Sequence, residues 1–151
     1  MGGQEVSTGR PDDATVHYLR AIELRPDYPE ALNNYGSLLL SRGKQEEAID
    51  YLRRAIAEQP GYANAHYNLG KAFQYRKEND ESVVHYREAV RLAPDHVKAH
   101  NNLGTVLGSM GKLEEAIPHF REALRLDPGY SMARDNLEMA LQRLAEPRRD
   151  P

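Results

Sequence analysis

Three short stretches decide how this chain folds: Ala31-Leu32-Asn33-Asn34-Tyr35-Gly36, Ala65-His66-Tyr67-Asn68-Leu69-Gly70 and Ala99-His100-Asn101-Asn102-Leu103-Gly104. Each begins 34 residues after the one before, and Pro26, Pro60, Pro94 and Pro128 keep the same interval. A fixed period in this range marks a repeat array. Cut at that period, the chain gives blocks 29–62, 63–96 and 97–130. Later in each block the columns hold Ala48, Ser82 and Ala116, then Leu52, Tyr86 and Phe120, then Ala55, Ala89 and Ala123. Small, large and small residues recur in register.

Two helices per block follow from the apolar spacing. In the middle block Ala65, Leu69, Ala72 and Phe73 form one stripe at helical period, and Val83, Tyr86, Ala89 and Val90 form a second. Gly43 and Gly111 stand where a first helix must end with positive φ, and the periodic prolines stop each second helix. Gly36, Gly70 and Gly104 lie inside the first helices, where each costs up to about 1 kcal/mol, so they are expected to admit a close neighbouring backbone. These columns resemble the tetratricopeptide repeat, a 34-residue helix-turn-helix with small residues where its helices touch and proline after the second. The resemblance runs from about residue 9 to residue 144. It implies an all-α fold, a right-handed α-α superhelix or α-solenoid, here of about eight helices.

The ends subdivide the rest. Residues 12–28 match a second helix only, because Ala14, Tyr18, Ala21 and Pro26 fall in the columns of Ala48, Leu52, Ala55 and Pro60. Residues 1–11 are expected to be partly disordered, with Gly9-Arg10 in an inter-helix turn. Residues 131–145 read as a first helix with Leu137, Leu141 and Leu144 inward, capping the array with a polar face. Residues 146–151 read as a disordered tail. Two departures stand out: Lys77 occupies the glycine position of the turn, and Ser82 replaces alanine at the helix contact, which should make 74–82 the softest connection. Pro118, inside a second helix, is expected to face outward.

Composition narrows the function. The 151 residues carry 20 Lys plus Arg against 23 Asp plus Glu, a net charge of -3, which argues against nucleic-acid or anionic-membrane binding by bulk charge. Cysteine is absent, so disulfides, thiolate metal sites and a Cys nucleophile are excluded. The start of the chain has neither a basic segment nor an apolar run, and no stretch has the length of a membrane span, so a cytoplasmic location is expected for the chain as given. His96 and His100 share helical i, i+4 spacing, but Val97 follows His96 where a zincin has glutamate, so they read as half-exposed imidazoles and no metal is expected. Gly43-Lys44, Gly70-Lys71 and Gly111-Lys112 lack the following Ser or Thr of a phosphate loop. Glu46-Glu47 and Glu114-Glu115 open second helices, where carboxylates favour the dipole. Nothing supplies a nucleophile, base and oxyanion arrangement, so the chain is read as non-enzymatic, with no cofactor.

What remains is the outer face of the first helices, which lines the concave side in tetratricopeptide arrays. The resemblance places Asn33, Asn34, Tyr67, Asn68, Lys71, Tyr75, Lys98, Asn101, Asn102 and Asn136 there as candidate peptide-binding residues. Asn34, Asn68, Asn102 and Asn136 share one column, similar to the asparagine ladder that lines the tetratricopeptide superhelix of O-linked N-acetylglucosamine transferases. Such amides either pair with the backbone of an extended peptide or bond between neighbouring helices. The carboxylate clamp of chaperone adaptors in this family is matched only at Asn68 and Lys98, since Asn33, Ser37 and Asn102 occupy its other positions. The expected role is a protein-protein interaction scaffold that binds an extended peptide or a partner helix. Two alternatives stay open: self-association through the Ala14 and Tyr18 face of the N-terminal helix, or the repeat segment of a larger enzyme such as a glycosyltransferase.

Overall fold

A computed structural model of the chain describes residues 9–146, with side chains from Asp13 onward. The disorder expected at the two termini lies largely outside the described residues. The described chain is eight helices: α1 (Gly9–Leu24), α2 (Pro29–Ser41), α3 (Gln45–Glu58), α4 (Ala63–Tyr75), α5 (Asn79–Leu92), α6 (Val97–Ser109), α7 (Leu113–Leu126) and α8 (Ser131–Ala145). Consecutive helices pack on each other, and first helices also touch across repeats, α2 on α4 and α6 on α8. The fold is an all-α solenoid. Helix α1 starts at Gly9, so Gly9 and Arg10 are helical and not the turn the sequence suggested. Pro11 falls in the first turn, where its missing N-H satisfies no helical bond anyway.

The three inter-helix turns share one hydrogen-bond pattern. Gly43 N-H donates to Leu40 O (3.0 Å) and Lys44 N-H to Leu39 O (2.9 Å); Lys77 and Glu78 do the same to Gln74 and Phe73, and Gly111 and Lys112 to Gly108 and Leu107. This is the Schellman arrangement, which needs a left-handed residue after the helix. Gly43 and Gly111 have φ of 76° and 80°, and Lys77 is forced to 60° without glycine's freedom. The second helices open with acidic pairs as expected. Pro118 is exposed on α7, which explains its tolerance.

Side chains come closest to the first-helix glycines, and at Gly36 the Ala48 carbonyl oxygen also lies 3.4 Å from where a Cβ would sit. A Cβ on Gly36 would lie 2.7 Å from Leu52 Cγ, and one on Gly70 or Gly104 would lie 2.6 Å from the ring of Tyr86 or Phe120. The large residue of each second helix therefore sits directly on the glycine of its own first helix. The apolar core divides into two clusters, one reaching from Ile22 to Phe73 and one from Val83 to Ala140. Their boundary falls between α4 and α5. There Ser82 Oγ donates to Gly70 O (2.8 Å), meeting the buried hydroxyl's need for a backbone acceptor.

The last helix departs from the expected cap. Ala133 and Ala140 are buried and Leu137 packs on the second cluster, but Leu141 and Leu144 are 40% and 45% exposed. The inward stripe runs through Ala133, Leu137 and Ala140, so α8 presents apolar as well as polar side chains outward.

Candidate functional site

The first helices place the candidate residues at different depths. Asn33, Asn68 and Asn101 are buried, Asn101 at 1% exposure. Tyr67, Lys71, Asn102 and Asn136 are half-buried; Asn34, Tyr75 and Lys98 are exposed. The asparagine column is therefore not one open row. Its amides bond diagonally, from one column to the neighbouring column of the previous first helix: Asn68 Nδ2 donates to Asn33 Oδ1 (2.9 Å) and Asn136 Nδ2 to Asn101 Oδ1 (3.0 Å). Asn33 Nδ2 in turn donates to Tyr62 OH (3.3 Å), and Asn101 Nδ2 to Asn102 Oδ1 (3.3 Å). In the middle, Asn102 Nδ2 reaches Tyr67 OH and Tyr86 OH, both at 3.4 Å. A buried carboxamide needs such partners, so these amides link neighbouring helices. Asn33, Asn68 and Asn101 thus lie mostly below the surface, each with an amide donor bonded within the protein.

The open part of the face is built around Tyr67. Lys71 Nζ lies 5.3 Å from its ring centroid, and the His96 ring lies 4.6 Å away. Burial, followed by the neighbouring Tyr130, pushes the Tyr67 phenol up to about 12, so it stays a neutral donor. Burial and then the charge of Lys98 lower the Lys71 ammonium below its usual value. No ion pair joins Lys71 or Lys98 to a carboxylate among the described residues. His96 fixes the start of α6: its Nδ1 accepts from Ala99 N-H (3.2 Å), which leaves Nε2-H to donate to Asn64 Oδ1 (3.1 Å).

Histidines form a second arrangement that spacing within a column does not reveal. His66 Nδ1 faces His85 Nδ1 at 3.5 Å, and His100 Nδ1 faces His119 Nδ1 at 3.4 Å. The second nitrogens of His66 and His100 meet Pro60 O (3.0 Å) and Pro94 O (2.9 Å). A carbonyl only accepts, so Nε2 of His66 and His100 carries the hydrogen, Nδ1 is the free lone pair, and His85 or His119 donates to it. His100 is thus 8% exposed and internally bonded, not the half-exposed imidazole expected from its position. The signal was the 19-residue offset, His66 to His85 and His100 to His119, which occurs twice. Burial first, then the facing histidine, lowers the pKa of His85 and His119. Among the described residues no three metal-ligating side chains converge.

Paired helices at a 34-residue period, with polar contacts across their first helices, define a helix-turn-helix repeat solenoid. The chain belongs to the tetratricopeptide repeat family: models of that description match residues 5–63 and 61–129. Among solved structures it resembles MamA (25% identity, TM-score 0.82, covering 91% of this chain and 81% of that one). It also resembles YrrB, described as a tetratricopeptide protein with an unusual peptide-binding site (23%, 0.79, 85% and 66%). A third likeness is the first such domain of Spaghetti (RPAP3), bound to the HSP90 peptide SRMEEVD (26%, 0.76, 78% and 94%). Comparison with curated protein sequences gave no match. No helix among the described residues is long and apolar enough to cross a membrane.

Proposed function

We propose that the chain is a non-enzymatic interaction scaffold whose first-helix face binds an extended, acidic peptide segment of a partner protein. The observation that carries this reading is the pair Lys71 and Lys98. A half-buried ammonium, depressed by burial and then by Lys98 and lacking an ion pair among the described residues, is stabilised by an anionic ligand. Tyr75, 53% exposed one turn along α4 from Lys71, adds a flat amphipathic contact. Asn102, half-buried and bonded to Tyr67, adjoins this surface, whereas the exposed Asn34 lies against α1 with Ala14 and Tyr18. The peptide-binding site named for YrrB and the peptide SRMEEVD bound to Spaghetti support a peptide partner. The acid would be held differently from a carboxylate clamp, because Asn68 is buried and bonded to Asn33.

The test is selection of a random peptide display library on the wild type and on a Lys71→Ala, Tyr75→Ala double variant. Neither residue belongs to either apolar cluster, so helical circular dichroism should stay unchanged. Acidic peptides are expected to be enriched on the wild type and to bind the variant at least about tenfold more weakly, a change of about 1.4 kcal/mol. Equal affinity would move the site off this face.

A second reading, self-association, is favoured by Val16 and Leu19, exposed at 61% and 39% on α1. Ala14 and Tyr18, the residues expected on that uncovered face, are instead half-buried, with Tyr18 packed on the first cluster. Concentration-dependent sedimentation that Val16→Glu abolishes would favour assembly.

A further inference from the structure

We infer that a hollow of about 290 Å³ between α6 and α8 is a specificity pocket for one large apolar side chain of the bound peptide, with an adjacent acidic residue held by Arg143. Gly104, Gly108, Phe120, Met139, Ala140 and Arg143 form its main walls. The inference rests on the peptide-scaffold reading and adds to it which side chains the peptide carries.

Gly108 is the first sign. A Cβ there would meet nothing within 4 Å, whereas one on Gly104 would strike Phe120 at 2.6 Å. Glycine in the last turn of a helix is a poor helix former, and here no close approach requires it. The positions one and two periods earlier hold Gln74 and Leu40. In the middle repeat Gln74 is filled in against its neighbour, accepting from Tyr86 OH at 2.6 Å. In the third repeat both halves of that contact are absent together: Phe120 lacks the hydroxyl and Gly108 lacks the side chain. The result is an apolar hollow floored by a phenyl ring.

The rim supplies the charge. Arg143 Nη1 makes one long bond to Gly108 O (3.4 Å), and no ion pair joins it to a carboxylate among the described residues. A guanidinium has five donors, so most of its capacity faces outward and suits a carboxylate. Met139, 58% exposed, is a flexible wall that can close over an inserted side chain. Shape and charge together select an apolar residue flanked by Asp or Glu.

The experiment compares three proteins in the same random dodecapeptide display selection: wild type, Gly108→Leu and Arg143→Gln. Gly108→Leu should fold, since leucine occupies this position in the first repeat. On the wild type, enriched peptides should share a Leu, Met or Phe beside an acidic residue. Gly108→Leu should lose the apolar preference and bind the best such peptide at least about tenfold more weakly, while general acidity remains enriched. Arg143→Gln should keep the apolar preference and lose the neighbouring acid. Peptides enriched on the wild type without a shared apolar residue, or bound equally by Gly108→Leu, overturn the pocket and leave the scaffold standing. Absence of any enrichment on the wild type overturns the scaffold reading and the pocket with it.

Discussion

The second and third repeats, residues 63–96 and 97–130, are built on the same plan and stabilised by different chemistry. Both bury a His pair with nearly equal Nδ1 separations, 3.5 and 3.4 Å, and both seat an aromatic ring on a first-helix glycine. In the second repeat, however, the contact between the helices is polar at three points: Ser82 to the Gly70 carbonyl, His85 to His66, and Tyr86 to Gln74. In the third, Ala116, Phe120 and Gly108 replace Ser82, Tyr86 and Gln74, so only the His pair remains of those polar contacts and a hollow opens beside Phe120. The turn differs too, Lys77 at φ 60° against Gly111 at 80°. The boundary between the two apolar clusters runs through the polar repeat. Because a solenoid is held by contacts between neighbours, the place where polar groups interrupt the apolar core is where it should open. The lesson is that one repeat can trade apolar packing for bonded polar groups without losing the repeat geometry.

The largest test of that contrast is Gly70→Ala against Gly104→Ala. Both place a methyl 2.6 Å from a ring, but the Tyr86 hydroxyl is tied to Gln74 and Asn102, while Phe120 borders a hollow into which it can shift. Overpacking typically costs about 1–3 kcal/mol, so Gly70→Ala should fall at the upper end and Gly104→Ala at the lower, measured by chemical denaturation. The reverse order would break the contrast.

A turn swap should move stability less. Lys77→Gly should gain about 1 kcal/mol by relieving the left-handed backbone, and Gly111→Lys should lose a similar amount. Amide hydrogen exchange sharpens the comparison: residues 74–82 should exchange faster than 108–116 in the wild type, and Lys77→Gly should narrow the gap. Equal protection of the two turns at the outset would remove the idea of a soft seam.

The smallest expected effect is a pH slope. His85 and His119 have pKa values lowered in the fold, so the folded state binds fewer protons than the unfolded one. Their contribution is present above the unfolded value of about 6.5 and is lost as pH falls through and below it. Arg53, Glu81 and Glu88 face His85, and Arg87 and Glu115 face His119, so each pair meets mixed charge. The melting temperature should fall below about pH 6.5, a window to which His96, also lowered by burial, contributes. His85→Gln and His119→Gln should each remove a similar share of the slope. A one-sided effect would show that Phe73, stacked on His85 at 5.5 Å with no counterpart beside His119, outweighs the shared geometry.

Much of the architecture was legible in the residues. The 34-residue period, the positions of Gly43 and Gly111, and the strain at Lys77 placed the helix pairs and their turns. The candidate site was legible only as a set of faces. Tyr67, Lys71, Tyr75 and Lys98 do share the open surface, but Asn33, Asn68 and Asn101 lie beneath it, and α8 turns Leu141 and Leu144 outward. Column logic assumes that equal positions in successive repeats make equal contacts. The amide bonds instead step 35 residues and the histidine contacts 19.

The sequence by itself determined the repeat, the turns inside it and the apolar stripes of its paired helices, because these follow from local spacing and backbone preference. Only the tertiary structure decided which amide bonds which, which imidazoles meet, and that Gly108 opens a hollow where Gly104 seats a ring. Those outcomes depend on how far one helix is rotated and shifted against the next, and that offset is set by the sum of side-chain volumes across the interface.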